Sequence, residues 1–434
     1  MSNAVVSLPI SIMQVNHGYP ERYNAGSEVY TRSVTHALHA AGHNVSVFAR
    51  EEDPYRPDFE VRTELDGEIP VHLINMPRSQ HRWQHDEVDA AFARVLEHHR
   101  PDAVHFHHLN HLSVGLPAVA ARCGATVLFT VHDFWLACPR GQLVQWKLGG
   151  QAWPLCGGQD DTRCAEACYG RCKTGTAAAR CTDLAYWRDW VAARMRAVED
   201  QLQHIDAFLC PSRTVASTLA KRFPEVEARI RHLDYGFPAQ RPVAQQPHQG
   251  LVLGYLGTHS ATKGVDLLIR ALRLVSGDVS LHIYGRTRGQ ETEALRRLAQ
   301  GDERVTFDGE YSNGNVAEVL SGLDAVVVPS VWLENSPLVI HEAQQSRRCV
   351  VTADAGGMAE YVAHEVNGLL FRHRDEVSLA AALQRLVDEP GLAARLGARG
   401  YLHTASGEVL SIEEQAVELA RLYAAKRTGA SHAA

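Results

Sequence analysis

No stretch of this 434-residue chain reaches the roughly 18 uninterrupted apolar residues that a membrane-crossing helix requires. The best attempt, Val114 to Val131, is broken by Pro117, Arg122 and Gly124 and reads as helix, turn and strand. Met1 to Pro9 shows neither a charged n-region nor a long apolar h-region, so no secretory leader is expected and the expected location is the cytoplasm. A basic surplus is missing as well. Forty-three Lys and Arg against 50 Asp and Glu give a formal charge of −7, which argues against a general nucleic-acid binder and means that any anionic ligand is met at a local site. The 45% hydrophobic and 21% charged content excludes a disordered or collagen-like chain, and the length suits roughly two or three ordinary domains. Cysteine is sparse except in one place: six of nine, Cys138, Cys156, Cys164, Cys168, Cys172 and Cys181, fall in one stretch.

Strand and helix patterns alternate from the start. Ile10 to Val15 reads as a strand, followed by a loop with Gly18, Pro20 and Gly26. From Ser27 the apolar positions Tyr30, Val34, Ala37, Leu38 and Ala41 recur at the helical period, with Gly42 as a stop. Val45–Phe48, Val71–Ile74, Asp86–His99 (helix), Ala103–Phe106 and Thr126–Val131 continue the series. The pattern breaks over Phe237 to Gln249, which holds three prolines and no period. It restarts with Leu251–Leu256, Gly264–Leu274 (helix), Val279–Tyr284, Glu291–Ala299 (helix), Ala325–Val328 and Val350–Thr352. The expectation is an α/β protein of two Rossmann-like, doubly wound domains, 1–240 and 241–434, facing a central cleft. A final helix, about 412–426, is expected to cross back to the first domain.

The segment Pro329 to Ala343 follows a buried strand and opens a helix. Ser336 suits an N-cap and Pro337 the first helical position, so the free amides of Leu338 and Val339 would face the cleft and bind phosphate. Glu334 precedes the helix and Glu342 lies on it; a carboxylate accepts two vicinal hydroxyls well, so the pair fits a ligand with hydroxyls flanking a phosphate. Gly257 to Gly264 also joins a strand to a helix and places Lys263 within reach of a diphosphate.

The Glu-x7-Glu pattern with Asn335-Ser336-Pro337 inside it resembles the donor-site signature of the family 4 retaining glycosyltransferases of GT-B fold. Gly356-Gly357-Met358-Ala359-Glu360-Tyr361 and Asn367-Gly368-Leu369-Leu370-Phe371 are similar to that family at its usual spacing, and the resemblance covers nearly the whole chain. It implies that Glu342 holds the donor ribose, that Glu334 sits beside the transferred sugar and that Lys263 is the phosphate-binding lysine. Thr258 stands where the family commonly has Arg. Arg286 is a substitute on charge alone, or a solvated surface residue. Asn24-Ala25-Gly26-Ser27-Glu28 resembles the family's glycine-containing phosphate loop with one glycine of the usual pair, which makes Gly26 a donor-loop candidate. Thr130-Val131-His132-Asp133 looks like the strand end whose histidine contacts the donor sugar; a strand-end His132 bonded to backbone is the plainer alternative. The cluster His105, His107, His108 and His111 does not form a clear coordination set, because strand alternation separates His105 and His107 from His108, and it is read as acceptor-facing or packed rather than metal-binding.

Cysteines 156, 164, 168 and 172, with Cys138 as an alternative ligand, are read as a structural zinc set, with free or paired thiols and an iron–sulfur or redox role as the other readings. Some family members carry a similar cysteine-bearing insertion, here about 138–181. The helix from Asp183 to Gln203 carries Tyr186, Trp187, Trp190 and Met195 flanked by arginines. It either rests on the inner face of a membrane or packs inward. By the resemblance, the expected reaction moves a sugar from a UDP- or GDP-sugar to a hydroxyl of a glycan, a lipid-linked or a small-molecule acceptor, with retention and without a catalytic metal, as in polysaccharide, glycolipid or glycoside synthesis. A non-catalytic binding protein of the same fold is the rival reading.

Overall fold

A computed structural model describes residues 9–77, 82–146, 153–170, 175–238, 243–312, 314–400 and 409–424. Two sheets organise them. The first contains β1 (Ser11–Asn16), β2 (Asn44–Glu51), β3 (Val61–Asp66), β4 (Ile69–Asn75), β5 (Ala103–Phe106), β6 (Thr126–Thr130), β7 (Ala207–Cys210) and β8 (Ile230–His232) in the order 3-4-2-1-5-6-7-8. Only β3 runs antiparallel to its neighbour. The second contains β9 (Leu251–Leu256), β10 (Val279–Tyr284), β11 (Val305–Gly309), β12 (Ala325–Val328), β13 (Cys349–Ala353) and β14 (Gly368–Phe371) in the order 11-10-9-12-13-14, all parallel. In each sheet the strand order reverses beside the first strand, β1 or β9, and crevices outside the carboxyl ends at such a reversal are where open α/β sheets hold ligands.

The central strands are buried along their whole length, as β9 and β12 show, because helices cover both faces of a parallel sheet. Edge strands β3 and β11 mix polar and charged residues with apolar ones and stay partly exposed, which keeps an open edge from pairing with other chains.

The helix Ile412–Tyr423 starts with a complete capping box between Ser411 and Glu414. It packs on the first sheet's side, where Leu419 and Tyr423 are fully buried with Ile10, Tyr30, Val34 and Leu38. Gln415 fixes its approach: its amide accepts from the Gly236 N–H at 2.7 Å and donates to the Asp234 carbonyl at 2.5 Å.

The long helix Ala177–Leu202 turns most of its aromatic stripe inward, as the packing reading expects. Trp187 and Met195 are buried, Trp190 meets Trp83 edge-on, and Arg194, 1% exposed, donates to the carbonyls of Trp135 and Leu136 while lying over the Trp135 ring. Of the stripe, Tyr186 faces solvent. Among the described residues no helix is long and apolar enough to cross a membrane.

Cys138, Cys164 and Cys168 are buried free thiols, and the Cys156 thiol donates to the Gly158 carbonyl at 3.1 Å. Burial pushes the Cys164 thiol up to about 12, so it stays protonated. Cys172 lies outside the described residues. Among the described residues no group of three or more His, Cys, Asp or Glu is arranged to hold a metal ion, so the zinc expectation finds no ligand set there.

Removing the Leu419 side chain opens a void under the terminal helix. Leu419→Ala should cost about 3 kcal/mol, measured as a lower urea midpoint at unchanged slope.

Candidate functional site

A cavity of about 460 Å³ lies between the carboxyl ends of the two sheets. A larger open groove of about 650 Å³ runs beside β3 and β4, lined by residues such as Leu65, His72 and His99. That groove lacks the strand-end loops and the helix N-terminus that converge on the central cavity, so the cleft is the candidate site.

On the second-sheet side, the chain leaves β12 and turns through residues 329–337 before the helix Leu338–Gln345. Glu334 is 5% exposed, and three donors meet its Oε1: the Ser330 hydroxyl at 2.6 Å, the Lys263 ammonium at 2.7 Å and the Trp332 indole N–H at 2.9 Å. Gly357 lies directly beneath this loop. A Cβ there would collide with the Asn335 carbonyl, and the Gly357 N–H donates to the Glu334 carbonyl at 2.7 Å. The downstream glycine pair is therefore a support for the loop that carries Glu334.

The helix cap differs from expectation by one residue. Pro337, in an extended conformation, is the N-cap, and Leu338 and Val339 are the first helical positions, with their ends lining the cavity. Ser336 is not the cap, because its hydroxyl is bonded elsewhere, to Asp234 at 3.1 Å and to the His341 ring at 3.0 Å. Glu342 lies one turn further on and lines the cavity. Although it keeps some exposure there, no described residue hydrogen-bonds its carboxyl, and the surrounding protein pushes it up to about 7.

Lys263 closes a short turn after β9, and Thr258 lines the same wall, its carbonyl accepting from the Tyr255 hydroxyl at 2.8 Å. Arg286 does not reach the cavity. It is exposed, because the turn at Gly285 (φ +129°) presses against the Gly257 backbone and directs the following chain outward. It is the solvated arginine of the two readings, not a replacement for the charge missing at Thr258.

On the first-sheet side, Gly26 heads the helix Gly26–Ala40 and lines the cavity. A methyl at Gly26 would make ordinary contact with Leu338 at 3.6 Å, so this glycine is not sterically required. His132 lines the cavity, yet both its ring nitrogens are already engaged: Nδ1 with the Tyr235 hydroxyl at 2.5 Å and Nε2 with His107 Nδ1 at 3.0 Å. That corrects its expected role, since a ring nitrogen so placed is not open to a sugar hydroxyl. Burial keeps the His132 and His107 rings neutral.

Of the remaining polar groups on this wall, His108 belongs to the histidine cluster read from sequence as acceptor-facing or packed; His17, Glu28 and Asp133 were not singled out as site residues. His17 Nε2 lies 3.1 Å from the Glu28 carboxylate, and His108 Nε2 lies 3.4 Å from Asp133. Glu28 has a local signal, an acidic residue in a helix's first turn; its pairing with His17 is a property of the fold. Asn335 stands inside the Glu-x7-Glu pattern, but nothing local announces that it and Asp234 tie the two halves together. His105 and His107 bond to Tyr423, Thr130 and Gln14 and do not surround a common ligand point.

Glu342 links pH to stability. Its carboxyl rises from 4.5 to about 7 on folding, so between those values the native state binds more protons than the unfolded chain. Native stability therefore falls as pH rises through that window, and the penalty is complete above it. Glu342→Gln should stabilise the free protein by about 2 kcal/mol at pH 8 and not at pH 4, seen as a melting-temperature gain confined to the higher pH.

Residues 24–241 match the family model described as Glycosyltransferase Family 4, and residues 250–389 match that of Glycosyl transferases group 1. A D-inositol 3-phosphate glycosyltransferase of Stackebrandtia nassauensis is 34% identical over 172 residues, 37% of this chain and 39% of that protein. The lipopolysaccharide core biosynthesis glycosyltransferase LpsD of Rhizobium meliloti is 29% identical over 229 residues, 48% of this chain and 63% of that protein. The chain thus spans well under two thirds of the D-inositol 3-phosphate relative's length. Sucrose-phosphate synthase from Thermosynechococcus elongatus shares the fold at a TM-score of 0.72 and 20% identity, over 97% of this chain and 100% of that one. Anabaena Alr3699/HepE in complex with UDP and glucose does so at 0.64 and 15%, over 95% and 99%. With a family model matched over half its length and a GT-B architecture of two Rossmann-like domains, the chain belongs to glycosyltransferase family 4.

Proposed function

We propose that this protein transfers a glycosyl group from a nucleotide diphosphate sugar to an acceptor hydroxyl with retention of anomeric configuration, acting in the cytoplasm in the synthesis of a cell-surface polysaccharide, glycolipid or glycoside. One observation carries the reading. An unpartnered carboxyl at Glu342, the open N-terminus of the helix Leu338–Gln345 and the Lys263 ammonium share one cavity at the strand ends.

These three groups suit three parts of such a donor. Glu342 accepts the two vicinal hydroxyls of a ribose, the Leu338 and Val339 amides meet a phosphate, and Lys263 meets the charge that develops on the leaving diphosphate. Neighbours of the same fold were solved with UDP, UDP-glucose or ADP, which supports a nucleotide-linked donor. Glu334 is held on Oε1 by three donors, an arrangement suited to fixing Lys263 and orienting the sugar and poorly suited to a nucleophile. As the glycosidic C–O bond breaks, its electron pair goes to the departing phosphate oxygen. The acceptor oxygen bonds to the anomeric carbon from the same face, and its proton passes to that phosphate oxygen.

Incubation with UDP-, GDP- and ADP-sugars, followed by mass spectrometry, should show nucleotide release from one class. Nucleotide binding without release from any of them would leave a binding protein in place of an enzyme. Lys263→Met should lower kcat/KM by about 10²–10³-fold, in the range of a lost charge-stabilising donor. Glu342→Gln should weaken nucleotide affinity by roughly tenfold, the size of one charge-assisted hydrogen bond, and unchanged affinity would remove that residue from the ribose site.

A further inference from the structure

We propose that the acceptor is an uncharged polyhydroxylated compound and that the site discriminates against a phosphorylated one. This rests on the transfer reaction above, and it comes from the charge of the wall opposite the donor groups. Two carboxylate–imidazole pairs form the polar part of that wall: Glu28 with His17, and Asp133 with His108, the His17 and His108 rings meeting edge-on at 4.4 Å.

Glu28 is 3% exposed. Burial by itself would raise its carboxyl, but the His17 contact, its own amide and the Ser27 hydroxyl at 2.9 Å outweigh that and hold it at about 2. The His17 ring is pushed the other way, toward neutrality, chiefly by burial and then by His108; a neutral ring still donates its Nε2–H, so Glu28 remains an anion. Asp133 accepts from the Trp135 amide at 2.8 Å and keeps 28% side-chain exposure toward the cleft.

No Lys or Arg among the described residues lines this wall. Arg50 packs behind it, 8% exposed, and its guanidinium donates to the His17 carbonyl and to Glu52. The cleft's one described ammonium, Lys263, stands on the donor side and is paired with Glu334 at 2.7 Å. The head of the helix Gly26–Ala40 would attract an anion, but Glu28 in its first turn already meets that partial charge.

A phosphate needs donors and positive charge, and this wall supplies carboxylate oxygens. Those oxygens suit hydroxyl donors, as on a sugar or cyclitol ring. A phosphate placed between Glu28 and Asp133 would face like charges in a partly desolvated cleft that also holds the donor diphosphate. The matched relatives named for D-inositol 3-phosphate make the contrast testable.

The experiment is calorimetric titration of the full chain, saturated with whichever of UDP, GDP or ADP binds tightest, with two matched pairs. These are myo-inositol against myo-inositol 3-phosphate, and methyl glucoside against its 6-phosphate. The unphosphorylated member of at least one pair should bind about tenfold tighter or better, and Asp133→Asn should narrow that ratio to about threefold by removing a repelling charge. Glu28→Gln gives a second reading of the same ratio should the first variant fold poorly. The phosphorylated member binding as well as its partner in every pair that binds, or no member of either pair binding, overturns the inference. Failure of all three nucleotides to bind is a separate result and strikes the donor reading instead.

Discussion

Asn335 uses both ends of its amide on the first half of the chain: its Nδ2 donates to the carbonyls of Val131 and His132, each at 3.0 Å, and its Oδ1 accepts from the Ser212 hydroxyl at 2.6 Å. The residue is 3% exposed, so none of these bonds is shared with bulk water, and losing one partner would leave a buried polar atom unpaired. The consequence is geometric. The end of β6 and the end of β12 are held face to face, and the loop carrying Glu334 cannot shift without breaking three bonds. Tyr361 and Ser336 extend this seam by donating to Asp234 at 2.9 and 3.1 Å, and Glu360 accepts from the Arg213 and Thr214 amides that open the helix Arg213–Arg222. The cleft exists because these contacts stop the two sheets from either separating or closing flat.

Behind that seam the buried histidines form a directed chain. If the Tyr235 hydroxyl donates to His132 Nδ1, then His132 Nε2–H donates to His107 Nδ1 and His107 Nε2–H donates to Gln14 Oε1. Gln14 Nε2 donates in turn to the Tyr423 hydroxyl, which donates to His105 Nδ1, leaving His105 Nε2–H for Thr130. One tautomer per ring satisfies every atom with all three histidines neutral, which agrees with the downward pKa shifts that burial imposes on each. Such a chain is stable only when complete, since removing any member leaves an orphan in a low-dielectric interior. It also explains why the C-terminal helix matters to a cleft it does not line. Tyr423 supplies the hydroxyl at the middle of the chain, so docking of that helix fixes the ring of His132.

Much of the fold was legible because its strands carry a clear burial pattern: Leu251–Leu256 and Ala325–Val328 are near-continuous apolar runs and Val279–Tyr284 alternates, and all three stand where the pattern placed them. The edges were not. β3 and β11 mix charged and apolar residues as an exposed edge requires, and β8 is three residues long, so none carries a burial signal. The places of Glu334, Lys263, Leu338, Val339 and Glu342 beside the cleft were readable because each lies in a short strand-to-helix loop or in the first turns of the helix that follows it, where local sequence dictates geometry. Ser336 and Arg286 were misjudged for opposite reasons. Ser336 has a cap-like identity, but Asp234, about a hundred residues away, holds its hydroxyl. Arg286 has a suitable charge, but the backbone turn at Gly285 decides where it goes. The carboxylate–imidazole pairs could not be read at all, since Glu28 meets His17 and Asp133 meets His108 only after β1, β5 and β6 align.

The charge of the cleft is the last constraint on how it can work. Glu28, Asp133, Glu334 and Glu342 line it against one Lys or Arg among the described residues, Lys263, so the diphosphate of the proposed donor would gain little from net charge and would have to be recognised by directed groups. Two features reduce the opposition. Glu342, raised by burial to about 7, carries only part of a negative charge at neutral pH, and in the proposed reaction ribose hydroxyls donating to it would favour its ionised form. Lys263, bonded to Glu334 Oε1, is already ordered, so binding requires no further loss of its side-chain freedom. In the proposed reaction, as negative charge grows on the leaving phosphate, the ammonium would turn its remaining protons toward that charge while Glu334 keeps it in place. On that reading the pair would favour the transition state over the ground state, which is the difference that accelerates a reaction.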